Sequence, residues 1–188
     1  GYFTAEPRAE FYRHMDAANV DLKAFTDRFY HRITGAHLEP VLETLEYIHH
    51  ETDTWLELTT LLIPDQNDSE QELHRMTRWV VEHLGPDWKM MDTPPTEPAI
   101  LARARRIALE NGVRYAYTGN VHDHGGSSTY CHHCGDLLIG RDWYELDDWS
   151  LTDDGHCLNC GTRCAGVFDG PAGNWGAKRQ LVRLRDYA

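Results

Sequence analysis

The chain has 188 residues, 41% of them hydrophobic, which suits one mid-sized domain with a small added module and enough apolar material for a sizeable core. Its 18 basic and 30 acidic side chains give a formal net charge of −12, so a duplex phosphate backbone is repelled and nucleic acid is not an expected partner. No apolar run approaches the roughly 20 residues that span a bilayer, and Gly1-Tyr2-Phe3-Thr4 is not a charged segment leading into an apolar one, so the expected location is cytoplasmic with no membrane partner.

From about Ala17 to Tyr117, short apolar runs rich in β-formers alternate with amphipathic stretches, a pattern that predicts β-α units and a parallel sheet. The first strand is expected over Asn19–Ala24. The helix after it carries Val41, Leu45 and Ile48 on one face and begins near Glu39-Pro40. A second strand is expected over Trp55–Ile63, leading into a helix with a Ser69-x-x-Glu72 capping box and an apolar stripe of Leu73, Met76, Val80 and Leu84. Ile100, Ala104 and Ile107 mark a third helix, and Val113–Tyr117 a last strand. Between Leu84 and the third helix, Gly85-Pro86-Asp87-Trp88 runs into a Pro-rich segment, and no strand is expected there. After Gly119 the composition turns to glycine, serine and histidine. This places a first domain over 1–119, a cysteine-bearing module over 120–169 and a basic tail over 170–188 with Lys178, Arg179, Arg183 and Arg185.

The chemistry-bearing feature is Cys131-x2-Cys134 and Cys157-x2-Cys160, two thiol pairs separated by 22 residues. Each pair offers two soft sulfurs from one tight loop, and two such loops close a tetrahedral zinc site, a zinc-ribbon signature. Gly135 and Gly161 follow the pairs and permit the turn that aims backbone N–H groups at sulfur. Cys164 is left over, and five cysteines in this arrangement fit a reducing compartment better than a disulfide framework. His132, His133 and His156 flank the thiols, but four correctly spaced cysteines need no replacement ligand. His122-x-His124 with Asp123 could supply a two-histidine, one-carboxylate metal site, although near neighbours on a Gly-rich loop seldom converge on one ion. His49-His50 falls late in a helix, where charged imidazole suits the helix dipole.

Several motifs occur together: Gly1-Tyr2-x-Thr4-x-Glu6-Pro7, Asp16 to Phe25, Thr59-Thr60-Leu61-Leu62-Ile63-Pro64 with Asn67-Asp68, Tyr117 to Val121, and Thr129-Tyr130-Cys131-x2-Cys134-Gly135. In combination they resemble the C-terminal half of the radical S-adenosylmethionine enzymes of the AmmeMemoRadiSam system, relatives of the pyruvate formate-lyase activating enzyme. The resemblance implies a partial, half β/α barrel followed by a zinc-ribbon-like module. It implies S-adenosylmethionine and a [4Fe–4S] cluster as cofactors, yet the family's C-x3-C-x2-C cluster loop is absent, since no cysteine precedes Cys131. The resemblance places Asp21 and Lys23 near the cofactor's carboxylate or a monovalent cation. An acid and an amine two apart on a strand also share a face, so an internal ion pair closing the strand end is the other reading. Thr59, Thr60, Asn67 and Asp68 read as turn and cap chemistry. Two rival functions stay open. One is a metal-dependent hydrolase or oxygenase acting at the His122–His124 loop; the other is a zinc-stabilised, non-catalytic binding module. An open barrel edge would then favour a homo-oligomer or a docked partner.

Overall fold

The computed structural model describes residues 1–87, the backbone of residues 89–93, and residues 96–173. Two compact units divide between Gly126 and Ser127. Among the described residues no helix is long and apolar enough to cross a membrane.

The first unit opens with a helix α1 (Ala5–Tyr12), where no element is expected from periodicity; Phe3 stacks on Phe11 there, and Tyr12 meets both rings edge-on. Strand β1 covers Ala17–Asp21, earlier than the expected Asn19–Ala24, because the chain leaves the ladder once Leu22 N–H has bonded to Thr59 C=O. A helical turn α2 (Asp27–Phe29) continues into a π-helical turn (Tyr30–Thr34) that Gly35 ends at φ +69°. Then follow α3 (Glu39–Glu51), β2 (Trp55–Leu61), α4 (Glu70–Leu84), β3 (Lys89–Thr93), α5 (Pro98–Glu110) and β4 (Tyr115–Thr118). The four strands form one parallel sheet in the order β1-β2-β3-β4.

The predicted apolar faces are the buried ones. Val41, Leu45 and Ile48 of α3, Leu73, Met76, Val80 and Leu84 of α4, and Ala104 and Ile107 of α5 all join the core with Leu56 and Leu58 of β2. Burial alternates along β2, as the two-residue period of a strand requires.

One expectation fails here. The segment after Pro86 does contain a strand: β3 pairs with β2 through Leu58↔Met90 to Leu61↔Thr93, and with β4 through Lys89↔Tyr115 to Asp92↔Thr118. A segment that includes Lys89 and Asp92, both poor strand formers, becomes a strand because ladders on both sides satisfy its backbone. At the end of α3, burial and then neighbouring His50 lower the pKa of His49.

In the second unit β5 (Thr129–Tyr130), β6 (Leu137–Asp142) and β7 (Glu145–Trp149) form an antiparallel sheet over buried Leu138, Ile139 and Leu151. Lys178, Arg179, Arg183 and Arg185 of the basic tail, and Trp88, lie outside the described residues.

Candidate metal centre

Each cysteine pair sits on a turn built the same way. Gly135 N–H donates to Cys131 C=O at 2.9 Å and Gly161 N–H to Cys157 C=O at 2.8 Å, with the glycines at φ +81° and +73°, where a side chain would be strained. Cys131 N–H donates to Asp136 C=O at 2.8 Å, and Cys157 N–H to Thr162 C=O at 2.9 Å. These paired turns bring four residues from separate stretches together: the Sγ atoms of Cys131, Cys134, Cys157 and Cys160 all lie within 4.8 Å of one another. Cys131 Sγ is 3.5 Å from Cys160 Sγ, and Cys134 Sγ is 3.8 Å from Cys157 Sγ. Four sulfurs sharing one tetrahedral zinc at about 2.3 Å stand roughly 3.8 Å apart, so the group fits a single ion of that kind.

Hydrogen-bond donors around the sulfurs favour thiolate. The Thr162 hydroxyl, 3.3 Å from Cys160 Sγ, and then the Thr162 N–H bring the Cys160 thiol down to about 6. At Cys134 the Asp136 N–H works in the same direction. Burial and sharing of protons with the thiols of Cys160, Cys131 and Cys157 outweigh it, and push Cys134 up to about 12. A crowded set of thiols resists losing its last protons for want of a counter-charge, and a divalent cation supplies one. Cys164 is buried and turned to Ala165 C=O at 3.7 Å, outside the four-sulfur group. His156 pairs with Asp154 at 3.1 Å.

The other candidate residues gather at the carboxyl ends of β1 and β2. Asp21 ends β1, and Lys23 Nζ reaches its Oδ1 at 2.7 Å, so the two expected residues meet as an ion pair, half open to solvent. The backbone of Lys23 is fixed on both sides. Its N–H donates to the Tyr30 hydroxyl at 3.0 Å, and its C=O accepts from Asn67 Nδ2 at 2.6 Å. Burial pushes Tyr30 up to about 12, which keeps the phenol protonated.

Asn67 does more than turn chemistry. Buried at 2% exposure, it also donates to Leu61 C=O at 2.9 Å and accepts from Ile63 N–H at 2.6 Å, tying the end of β2 to the loop after β1. Thr60 donates to Leu22 C=O at 2.9 Å across the same junction, Thr59 to Asn19 Oδ1 at 2.8 Å, and Asp68 accepts from Asp65 N–H at 2.8 Å. Half of the expected capping box is present: Ser69 accepts from Glu72 N–H at 3.3 Å. The Glu72 carboxylate does not return to Ser69, but crosses to accept Phe25 N–H at 2.7 Å. No pattern in the sequence marks Tyr30 or Glu72 as loop anchors, because each bonds to a backbone N–H of the loop after β1, seven residues away for Tyr30 and 47 for Glu72.

Asp123 is occupied by local structure. Its carboxylate accepts from Thr118 Oγ1 and from Gly126 N–H, both at 2.9 Å, at the start of a short helix α6 (His124–Ser127). A side chain at Gly126 would strike both Asp123 and Thr118, so the loop is built around that carboxylate.

No protein-family model matches the chain. It is 40% identical over 152 residues to an uncharacterized protein from Methanocaldococcus jannaschii, an alignment that takes in 75% of this chain and 44% of the relative. The chain therefore spans less than half the length of that relative. Among solved structures it is similar to a domain of pyruvate-formate lyase-activating enzyme from Bacteroides vulgatus, with a TM-score of 0.55 and 16% identity, covering 62% of this chain and 75% of that one. At that identity the likeness is one of fold. The chain is thus a mixed α/β protein with an activating-enzyme-like fold and a group of four cysteines able to hold a metal ion.

Proposed function

We propose that this chain is a portion of a radical S-adenosylmethionine enzyme akin to those of the AmmeMemoRadiSam system, with residues 1–119 as part of a β/α barrel and the four-cysteine unit as a structural zinc ribbon. In this reading Asp21 and Lys23 orient the cofactor's charged amino-acid end, and Cys131, Cys134, Cys157 and Cys160 hold zinc. The observation that carries it is the Asp21–Lys23 pair at the carboxyl end of a strand in an all-parallel sheet, where ligands of such sheets bind. The activating-enzyme-like fold supports the same assignment.

The [4Fe–4S] cluster does not fit the cysteines present. Their sulfurs are close enough to share one ion, whereas cluster thiolates bind different irons and stand farther apart. No residue of this chain is assigned to the cluster, and radical chemistry would need ligands from outside this sequence. When bound, S-adenosylmethionine would supply the carbon radical of such enzymes. The contribution of Asp21 and Lys23 would be to bind and orient it. β1 and β4 flank the sheet with one hydrogen-bonded neighbour each among the described residues, and these edges are the proposed contact with a second copy or a partner.

Calorimetric binding of S-adenosylmethionine to the chain and to Asp21→Asn tests the reading. The expected result is saturable binding that weakens on the order of tenfold in the variant, the loss of one charge-assisted contact. Absence of binding, or binding indifferent to Asp21, would remove the cofactor role.

A further inference from the structure

The loops after β1 and β2 are stapled to each other and still leave a cleft of about 340 Å³ between them, at the small end of the roughly 300–1,000 Å³ usual for small-molecule sites. The staples are Asn67 to Lys23 C=O and Glu72 to Phe25 N–H. The loop after β1 is closed on itself as well, since the Asp27 carboxylate accepts Leu38 N–H at 3.0 Å and pairs with His37 at 3.1 Å. The walls are therefore held in place by bonds within the protein, and a ligand need not order them.

The helical turn that forms one wall sorts its side chains by direction. Phe29 and Tyr30 are 6% and 3% exposed and point to the core, while Arg28 and Arg32, four apart across the π-turn, line the cleft with Ile33. Neither guanidinium meets a carboxylate among the described residues, although the chain as a whole is strongly acidic. Glu72 is at the cleft with one oxygen already taken by Phe25 N–H. The opposite wall offers the Gln66 side chain and Asp65, which is held at φ +63°, a conformation uncommon outside glycine.

We infer that this cleft binds a small molecule carrying a carboxylate or phosphate at one end, clamped by Arg28 and Arg32. Two guanidinium groups on one face give the forked donors that planar or tetrahedral oxyanions accept. Exposed Ile33 contributes an apolar surface beside them. The site stands on these loops alone and is independent of any cofactor role for Asp21 and Lys23.

The test is an amide chemical-shift titration of the full chain at constant ionic strength, with inorganic phosphate in one arm and benzoate in the other to separate the two anion chemistries. Saturable shifts confined to residues 26–33 and 63–67 in either arm are expected. The double variant Arg28→Gln, Arg32→Gln should weaken that binding on the order of tenfold or more, whereas Arg106→Gln, an exposed arginine paired elsewhere with Glu110, should not. Both cleft arginines are exposed, so the spectrum away from the cleft should stay unchanged in the double variant. No saturable shift with either probe, or equal affinity in the double variant, would overturn the site.

Discussion

Asn67 joins three backbone groups from two loops, and a buried amide with that many partners cannot be replaced without orphaning some of them. Asn67→Ala is expected to destabilise the first unit by roughly 2–4 kcal/mol, the sum of lost bonds and stranded donors and acceptors. Asn67→Asp is the sharper variant, because it keeps the shape and sets a carboxylate oxygen against two carbonyls. A denaturant midpoint unchanged in both would show that the amide is not the junction. Glu72 carries the same lesson about legibility. Ser69-x-x-Glu72 identifies the helix start correctly from spacing alone, but where the carboxylate goes depends on Phe25, 47 residues earlier in the chain, and no local pattern encodes that.

At the scale of elements, α3, α4 and α5 were legible because a stripe of apolar residues at helical period has one place to go. Val41, Leu73, Met76 and Ile107 are buried where that period puts them. Strand β3 was not legible, since its five residues include Lys89 and Asp92 and are flanked by prolines; its conformation is dictated by the ladders to β2 and β4 and not by a pattern of its own. The ladders at Met91, paired in register with Thr59 on one side and Tyr117 on the other, make a definite demand. Met91→Pro removes a donor and imposes a fixed φ in a strand bonded on both sides, so it should abolish the cooperative unfolding transition of the first unit. A folded variant with native far-UV dichroism would mean that β3 is dispensable to the sheet.

At the scale of the whole molecule, the two units answer to different forces. The first has a large apolar core; the second has a small sheet and four converging thiols. Structural zinc supplies on the order of 10 kcal/mol of apparent binding free energy in small domains of this type. Cys134→Ser, or a strong chelator, is therefore expected to release about one zinc per chain and unfold the second unit while the first keeps its transition. Acid should do the same, because each thiolate that takes up a proton gives up the metal. Metal analysis of the air-free protein before and after the substitution checks this, and unchanged zinc in Cys134→Ser would defeat the assignment. The cysteine spacing made this centre readable from the sequence; the second unit's hairpin, with its bulged β6–β7 register, was not, because short irregular strands leave no clear period.

Strand order that follows chain order has a consequence for synthesis. Each β-α unit of the first unit adds at the edge left by the one before it, so a nascent chain can build the sheet one strand at a time as it leaves the ribosome. The sulfurs obey the opposite rule: Cys131 and Cys134 gain their partners only when Cys157 and Cys160 have emerged, so a four-sulfur site can form only in a single later step.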